Sequence, residues 1–209
     1  MSAESSNTAR LEAFSDGVFA IAVTLLVFNL KVPEFAPGTV TDAQLRAQLW
    51  RTWPAPVSFL LSFMTILVIW LNHHNLFKLI RRSDRTFMFT NGLLLLVVSY
   101  IPFPTSLLSA YILTDAAPTA AVLFSGTYFM LAVAFNLLWY VATRRGLLRP
   151  EAAGQVNFRG VRRGYLIGPA FYGLATVLAR WLPLVSVGIC LGMAVYYAVL
   201  NYEKSAKPA

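Results

Sequence analysis

Six stretches of this chain run free, or nearly free, of charge. A helix that crosses a bilayer needs about 20 mostly apolar residues. Leu11 to Leu30 is apolar apart from Glu12, Ser15, Asp16, Thr24 and Asn29. Residues 52–77, 86–114, 116–143, 164–179 and 181–202 contain no Asp, Glu, Lys or Arg. This pattern predicts an all-α membrane protein, a single domain over residues 1–209. Its expected spans lie near 11–32, 53–80, 86–113, 117–143, 164–180 and 182–202. The fifth is short and recruits Arg163 and Arg180 as snorkelling ends. Trp181-Leu182-Pro183 predicts a tight turn between the last two. The polar stretches 31–51 and 144–163 read as loops.

Composition agrees with that pattern. Hydrophobic residues make up 57% and charged residues 12% of the chain, the latter about half the usual share for a soluble domain. That excludes disordered, coiled-coil, collagen-like and disulfide-scaffold chains. The one cysteine, Cys190, supports neither an intrachain disulfide nor a cysteine metal cluster. Acidic residues at Glu4, Glu12 and Asp16 argue against a secretory signal in the first span.

The net charge of +8 needs no nucleic acid to explain it. Six spans put Arg10, Lys78, Arg81, Arg82, Arg85, Arg144, Arg145, Arg149, Arg159, Arg162, Arg163, Lys204 and Lys207 on one side. Lys31, Arg46, Arg51 and Arg180 fall on the other. By the positive-inside rule both termini are cytoplasmic in a multi-pass protein of the cell membrane. The basic loops would then lie against anionic lipid headgroups.

The first span is the unusual one. An ionisable residue such as Asp16 inside a span is costly and needs a partner. Candidates lie at the same depth. The second span ends in Trp70-Leu71-Asn72-His73-His74-Asn75, and the third begins near Asn91. Asp16 or Ser15 bonded to His73 or His74, completed by Trp70 and Asn91, would fix the first helix against the next two. A proton relay is the second reading of the same residues, and a catalytic or metal site the third. Metal binding is the weaker because adjacent histidines do not share a helix face, whereas zinc helices carry His at i and i+4.

At about 100° per residue, Gly17, Ile21, Thr24 and Phe28 form one narrow stripe, with Arg10 on the same line. Asp16 lies on the flank and Ser15 on the back. On residues alone, such a stripe is most simply a lipid-facing or core-facing surface.

The run Arg10-x-x-x-Phe14-Ser15-Asp16, followed by Gly17-Val-Phe-Ala-Ile21 and Thr24-Leu-Leu-Val27, resembles the signature of the endosomal/lysosomal potassium-channel family, the transmembrane protein 175 family, in its bacterial half-length branch. The likeness extends to the Trp70/His73-His74 cluster and Asn91. It implies a homotetramer in which four copies of the first helix line a central pore. It implies that Arg10, Phe14, Ser15 and Asp16 hold that helix through the span-two histidine and tryptophan. The narrowest ring falls on Ile21, with Thr24 and Phe28 as the next layers and Gly17 on the same stripe. No backbone-carbonyl filter of the Thr-Val-Gly-Tyr-Gly kind is present, so the constriction is hydrophobic and gates by dewetting. The implied function is potassium-preferring cation conduction, with no enzyme activity and no cofactor; potassium is the permeant ion. The alternative is a proton leak or proton-coupled transporter using Asp16 and a span-two histidine. Pro102 and Pro104 break the third span, but no other span matches them as a transporter repeat would. Two departures stand out: Phe28 replaces the smaller aliphatic residue of many members, and Asn29 replaces a common acidic residue. The second should weaken cation attraction at the outer mouth.

Overall fold

A computed structural model describes residues 3–36, 38–150 and 158–206. Helix α1 (Ala3–Leu25) continues into a 3₁₀ turn, Leu26–Asn29. It is followed by α2 (Asp42–Arg51), α3 (Pro54–Leu79), α4 (Arg85–Tyr100), α5 (Pro102–Tyr111), α6 (Ala117–Arg144), α7 (Phe158–Leu178) and α8 (Pro183–Ala206). Among the described residues, four helical stretches are long and apolar enough to cross a membrane: Thr8–Asn29, Pro54–Leu79, Arg85–Tyr111 and Ala117–Arg144. The apolar parts of α7 and α8, Leu166–Leu178 and Pro183–Val199, are shorter.

Local chemistry explains the breaks. Proline opens α3 and α5 and lies in the first turn of α6, where its missing N–H costs no helical bond. Pro102 divides the third apolar stretch into α4 and α5 because it cannot donate to the preceding turn. Gly146, at φ +62°, takes the left-handed conformation that ends α6. The α7–α8 turn is closed by the Trp181 and Leu182 amides donating to the Leu178 carbonyl, at 3.1 and 2.8 Å. The two helices approach closely at Gly168, where an added Cβ would lie 2.9 Å from the Tyr197 hydroxyl.

Helix α2 corrects the expectation of a plain loop over 31–51. Thr41 and Gln44 form a reciprocal capping box: the Gln44 amide donates to Thr41 Oγ1, and the Thr41 amide donates to Gln44 Oε1 at 2.8 Å. The Thr-x-x-Gln spacing was the available signal. None of the residues of α2 is buried.

The core is built around α6, which packs against α4, α5, α7 and α8. Phe124, Tyr128, Leu131, Phe135 and Leu138 of α6 are buried there. A polar node crosses this core. Tyr128 donates to Ser62 Oγ at 2.9 Å, and Ser62 shares a 2.7 Å bond with Thr105 Oγ1, joining α6, α3 and α5.

One end of the bundle gathers the basic loops. The Thr8 hydroxyl lies 3.5 Å from that of Ser83. Arg81 and Arg149 donate backbone bonds to Leu147 and Leu79 at 2.8 and 2.9 Å, tying the end of α3 to the segment after α6. Asp84 caps α4 by accepting from the Phe87 amide at 2.8 Å and pairs with Arg145 at the end of α6. Partial burial works against the Asp84 carboxylate, but the Phe87 amide and the Arg145 guanidinium outweigh it and hold its pKa below the usual range. A depressed carboxylate contributes stability that is complete above its unfolded pKa and is lost as pH falls through the carboxylate range. Asp84→Ala should therefore cost about 1 kcal/mol. Thermal unfolding in detergent at neutral pH checks this, and the gap from wild type should shrink as the solution is acidified.

Candidate pore-lining helix and its anchor

Helix α1 packs against α3 and α4 through one face only. Its apolar window is 22% buried, against 39, 44 and 50% for the other three long stretches. The helix therefore stands at the edge of the bundle. Ser15, Phe19, Ala22 and Leu26 form its buried face.

The polar residues on and beside that face meet α3 and α4. The Trp70 indole N–H donates to Asp16 Oδ1 at 2.8 Å. Asn91 Nδ2 donates to Ser15 Oγ at 2.9 Å, and Asn91 Oδ1 lies 2.8 Å from His73 Nε2. The direction of this chain is set by the amide. Its nitrogen is spent on Ser15, so its oxygen must accept, and His73 carries its proton on Nε2. Ser15 donates its own hydroxyl hydrogen bond to the Leu11 carbonyl at 2.8 Å. His73 and Asn91 are both fully buried, and His73 Nδ1 has no hydrogen-bond partner among the described residues. The His73 ring stacks on Phe77 at 4.3 Å and tilts against Phe19 at 5.3 Å.

His74 takes a different partner. Its Nδ1 lies 3.1 Å from Glu12 Oε1, and its ring stacks on Trp70 at 6.0 Å. The structure thus joins Ser15, Asp16, Trp70, His73, His74 and Asn91, but neither histidine bonds to Asp16 or Ser15 directly. Trp70 takes Asp16, and Asn91 stands between His73 and Ser15. Glu12 is a member that the sequence reading noted without assigning a partner. Its place one turn before Asp16 was the available signal. Arg10 and Phe14 are exposed on the open side of α1 in the single chain, Phe14 to 65%. The Arg-x-x-x-Phe-Ser-Asp run straddles two helix faces, so only its Ser-Asp half turns toward α3 and α4.

The open side carries Gly17, Ile21, Thr24 and Phe28. Ile21 is 61% and Phe28 74% exposed. A Cβ added to Gly17 meets nothing within 4 Å. The Thr24 hydroxyl donates to the Ile21 carbonyl at 2.9 Å, which leaves its oxygen lone pairs facing outward. Asn29 does not continue this stripe. It continues the buried face of Ser15, Phe19, Ala22 and Leu26, and is 7% exposed, away from the open side. Among the described residues, no group of three or more His, Cys, Asp or Glu side chains gathers as a metal site.

The comparisons with known proteins come to the same region. The profile of the family described as "Endosomal/lysosomal potassium channel TMEM175" matches residues 10–102, which hold α1 and its anchor. A potassium channel of Chamaesiphon minutus is 41% identical over 94% of this chain and 96% of its own length. A potassium channel of Streptomyces collinus is 41% identical over 81% of each. The crystal structure of a lysosomal potassium-selective channel TMEM175 homolog from Chamaesiphon minutus superposes with a TM-score of 0.80 at 39% identity, covering 94% of this chain and 98% of that one. With the signature run, the anchor and the helical frame all in place, the chain belongs to the TMEM175 family of ion channels and is not an enzyme.

Proposed function

We propose that this protein is a potassium-preferring cation channel whose pore is lined by four copies of α1. The carrying observation is that α1 is pinned by one face while the opposite face, Gly17 to Phe28, is left without a neighbour. One helix supplies one residue per layer, so a closed pore needs several copies about a symmetry axis. Four Ile21 side chains form the constriction, which shuts by dewetting. Thr24 forms the next ring. Its outward lone pairs replace part of an ion's hydration shell, and losing that shell costs sodium more than potassium. Phe28 narrows the outer end. In this reading each subunit is one six-span domain in the cell membrane, with both termini cytoplasmic. The gathering of Arg81, Arg145 and Arg149 at one end of the bundle supports that orientation and contact with anionic headgroups there. Potassium passes as the permeant ion, and no cofactor takes part.

Proton movement through Asp16 and a span-two histidine is the weaker alternative. The Asn91 amide interrupts the path from His73 to Ser15, and Asp16 bonds an indole that holds its proton.

Bi-ionic current recording on purified protein in a planar bilayer tests the proposal. The expected result is a reversal potential favouring potassium over sodium, shifted toward zero by Thr24→Ala. Absence of current overturns the channel reading. An unmoved reversal potential in the variant removes Thr24 from the selectivity argument.

A further inference from the structure

A second polar feature lies at the opposite end of the bundle from the basic loops. A cavity of about 330 Å³ opens between the end of α1, the start of α3 and α5, a size in the range of small-ligand pockets. Lys31, Arg51, Thr52, Asn29, Ser106 and Ser109 supply its polar wall, and no carboxylate lines it. Two cations thus share a space with no carboxylate on its wall. The ion pairs among the described residues lie elsewhere, at Asp42–Arg46, Glu12–His74 and Asp84–Arg145.

Asn29 also lines the wall, with its Nδ2 shielded from the cavity itself. It is more than nine-tenths buried, and its Nδ2 is a donor with no partner among the described residues. A buried donor left unpaired is costly unless something accepts from it. The hydroxyls of Thr52 and Ser109 already donate to backbone carbonyls, of Gln48 and Ser106 respectively. The groups available to an acceptor are therefore the Lys31 ammonium, the Arg51 guanidinium and the Ser106 hydroxyl. All of these features select an anion with several acceptor oxygens.

We infer that this cavity binds a phosphate group, either the headgroup phosphate of an anionic lipid or free inorganic phosphate. Both sources offer the same oxygens to Lys31 and Arg51. The surroundings suit a bilayer interface. Trp50 is 79% and Trp53 41% exposed beside Arg51, as in an interfacial aromatic belt, and α2 buries none of its own residues.

The test uses the full chain and reads binding, not current, so it fails or succeeds independently of conduction. Protein in nanodiscs of mixed phosphatidylglycerol and phosphatidylcholine is released and scored for retained lipid by native mass spectrometry. In a parallel arm, inorganic phosphate is titrated into detergent-solubilised protein by calorimetry. Retention of phosphatidylglycerol over phosphatidylcholine, reduced about tenfold in a Lys31→Gln/Arg51→Gln variant, assigns the site to a lipid headgroup. Phosphate heat lost in the same variant assigns it to the free anion. Asn29→Asp is nearly isosteric and should weaken either ligand by repulsion. It serves as the second variant if the double one does not purify. Equal retention of both lipids by wild type and variants, with no phosphate heat, overturns the inference.

Discussion

Ile21→Asn should open the pore. In potassium-loaded liposomes the variant is expected to leak at least about tenfold faster than wild type, since each ~1.4 kcal/mol taken from a barrier multiplies a rate by ten. The physical reason is wetting. In the proposed tetrameric ring, four isoleucine side chains offer water no hydrogen bond and exclude it when the ring is narrow, whereas four amides would hold water in place. The substitution should leave the subunit intact, because Ile21 is 61% exposed in the single chain and supports no core. A variant that purifies normally and leaks no faster would remove Ile21 as the constriction. It would also return the open side of α1 to a lipid-facing surface.

The second large effect is on stability. Asn91→Leu keeps the volume of a buried side chain but strips His73 Nε2 of its acceptor and Ser15 Oγ of its donor. An unmet buried polar group costs about 1–3 kcal/mol, and His73 would then have neither ring nitrogen bonded. A loss near 3 kcal/mol corresponds to roughly 6–12 °C in the unfolding midpoint. Thermal melts in detergent check this. The same variant frees α1 to rotate on α3 and α4, so current records should show altered gating wherever the protein assembles. An unchanged midpoint would mean that the Ser15–Asn91–His73 chain contributes nothing measurable to holding α1.

These two residues also mark how far the sequence could be read. Ile21 was placed on a stripe by helical period alone, because 3.6 residues per turn aligns Gly17, Ile21, Thr24 and Phe28 whatever surrounds them. That period could not tell a pore from a lipid face. The anchoring residues were legible as a cluster of polar types at one depth of three apolar helices, where only other polar groups can satisfy them. Their pairing was not legible. Trp70 and not a histidine takes Asp16, Asn91 is the bridge, and Glu12 meets His74, because side-chain reach and helix rotation settle which donor faces which acceptor. Asn29 falls on the buried face of Ser15, Phe19, Ala22 and Leu26 by the same helical period, but the period does not say which atoms meet it there. The capping box of α2 was visible at Thr41 and Gln44 but was passed over in a polar stretch.

Hydropathy by itself determined that the chain is helical, that it carries stretches fit for a bilayer, and where its positive charge collects, since these depend on transfer energies that each residue brings regardless of its neighbours. Only the tertiary structure decided which face of α1 is held, which is left open, and which polar atoms remain unpaired at its far end. Those properties belong to pairs of atoms brought together from different helices, and a hydrogen bond's geometry has no counterpart in the order of residues along a chain.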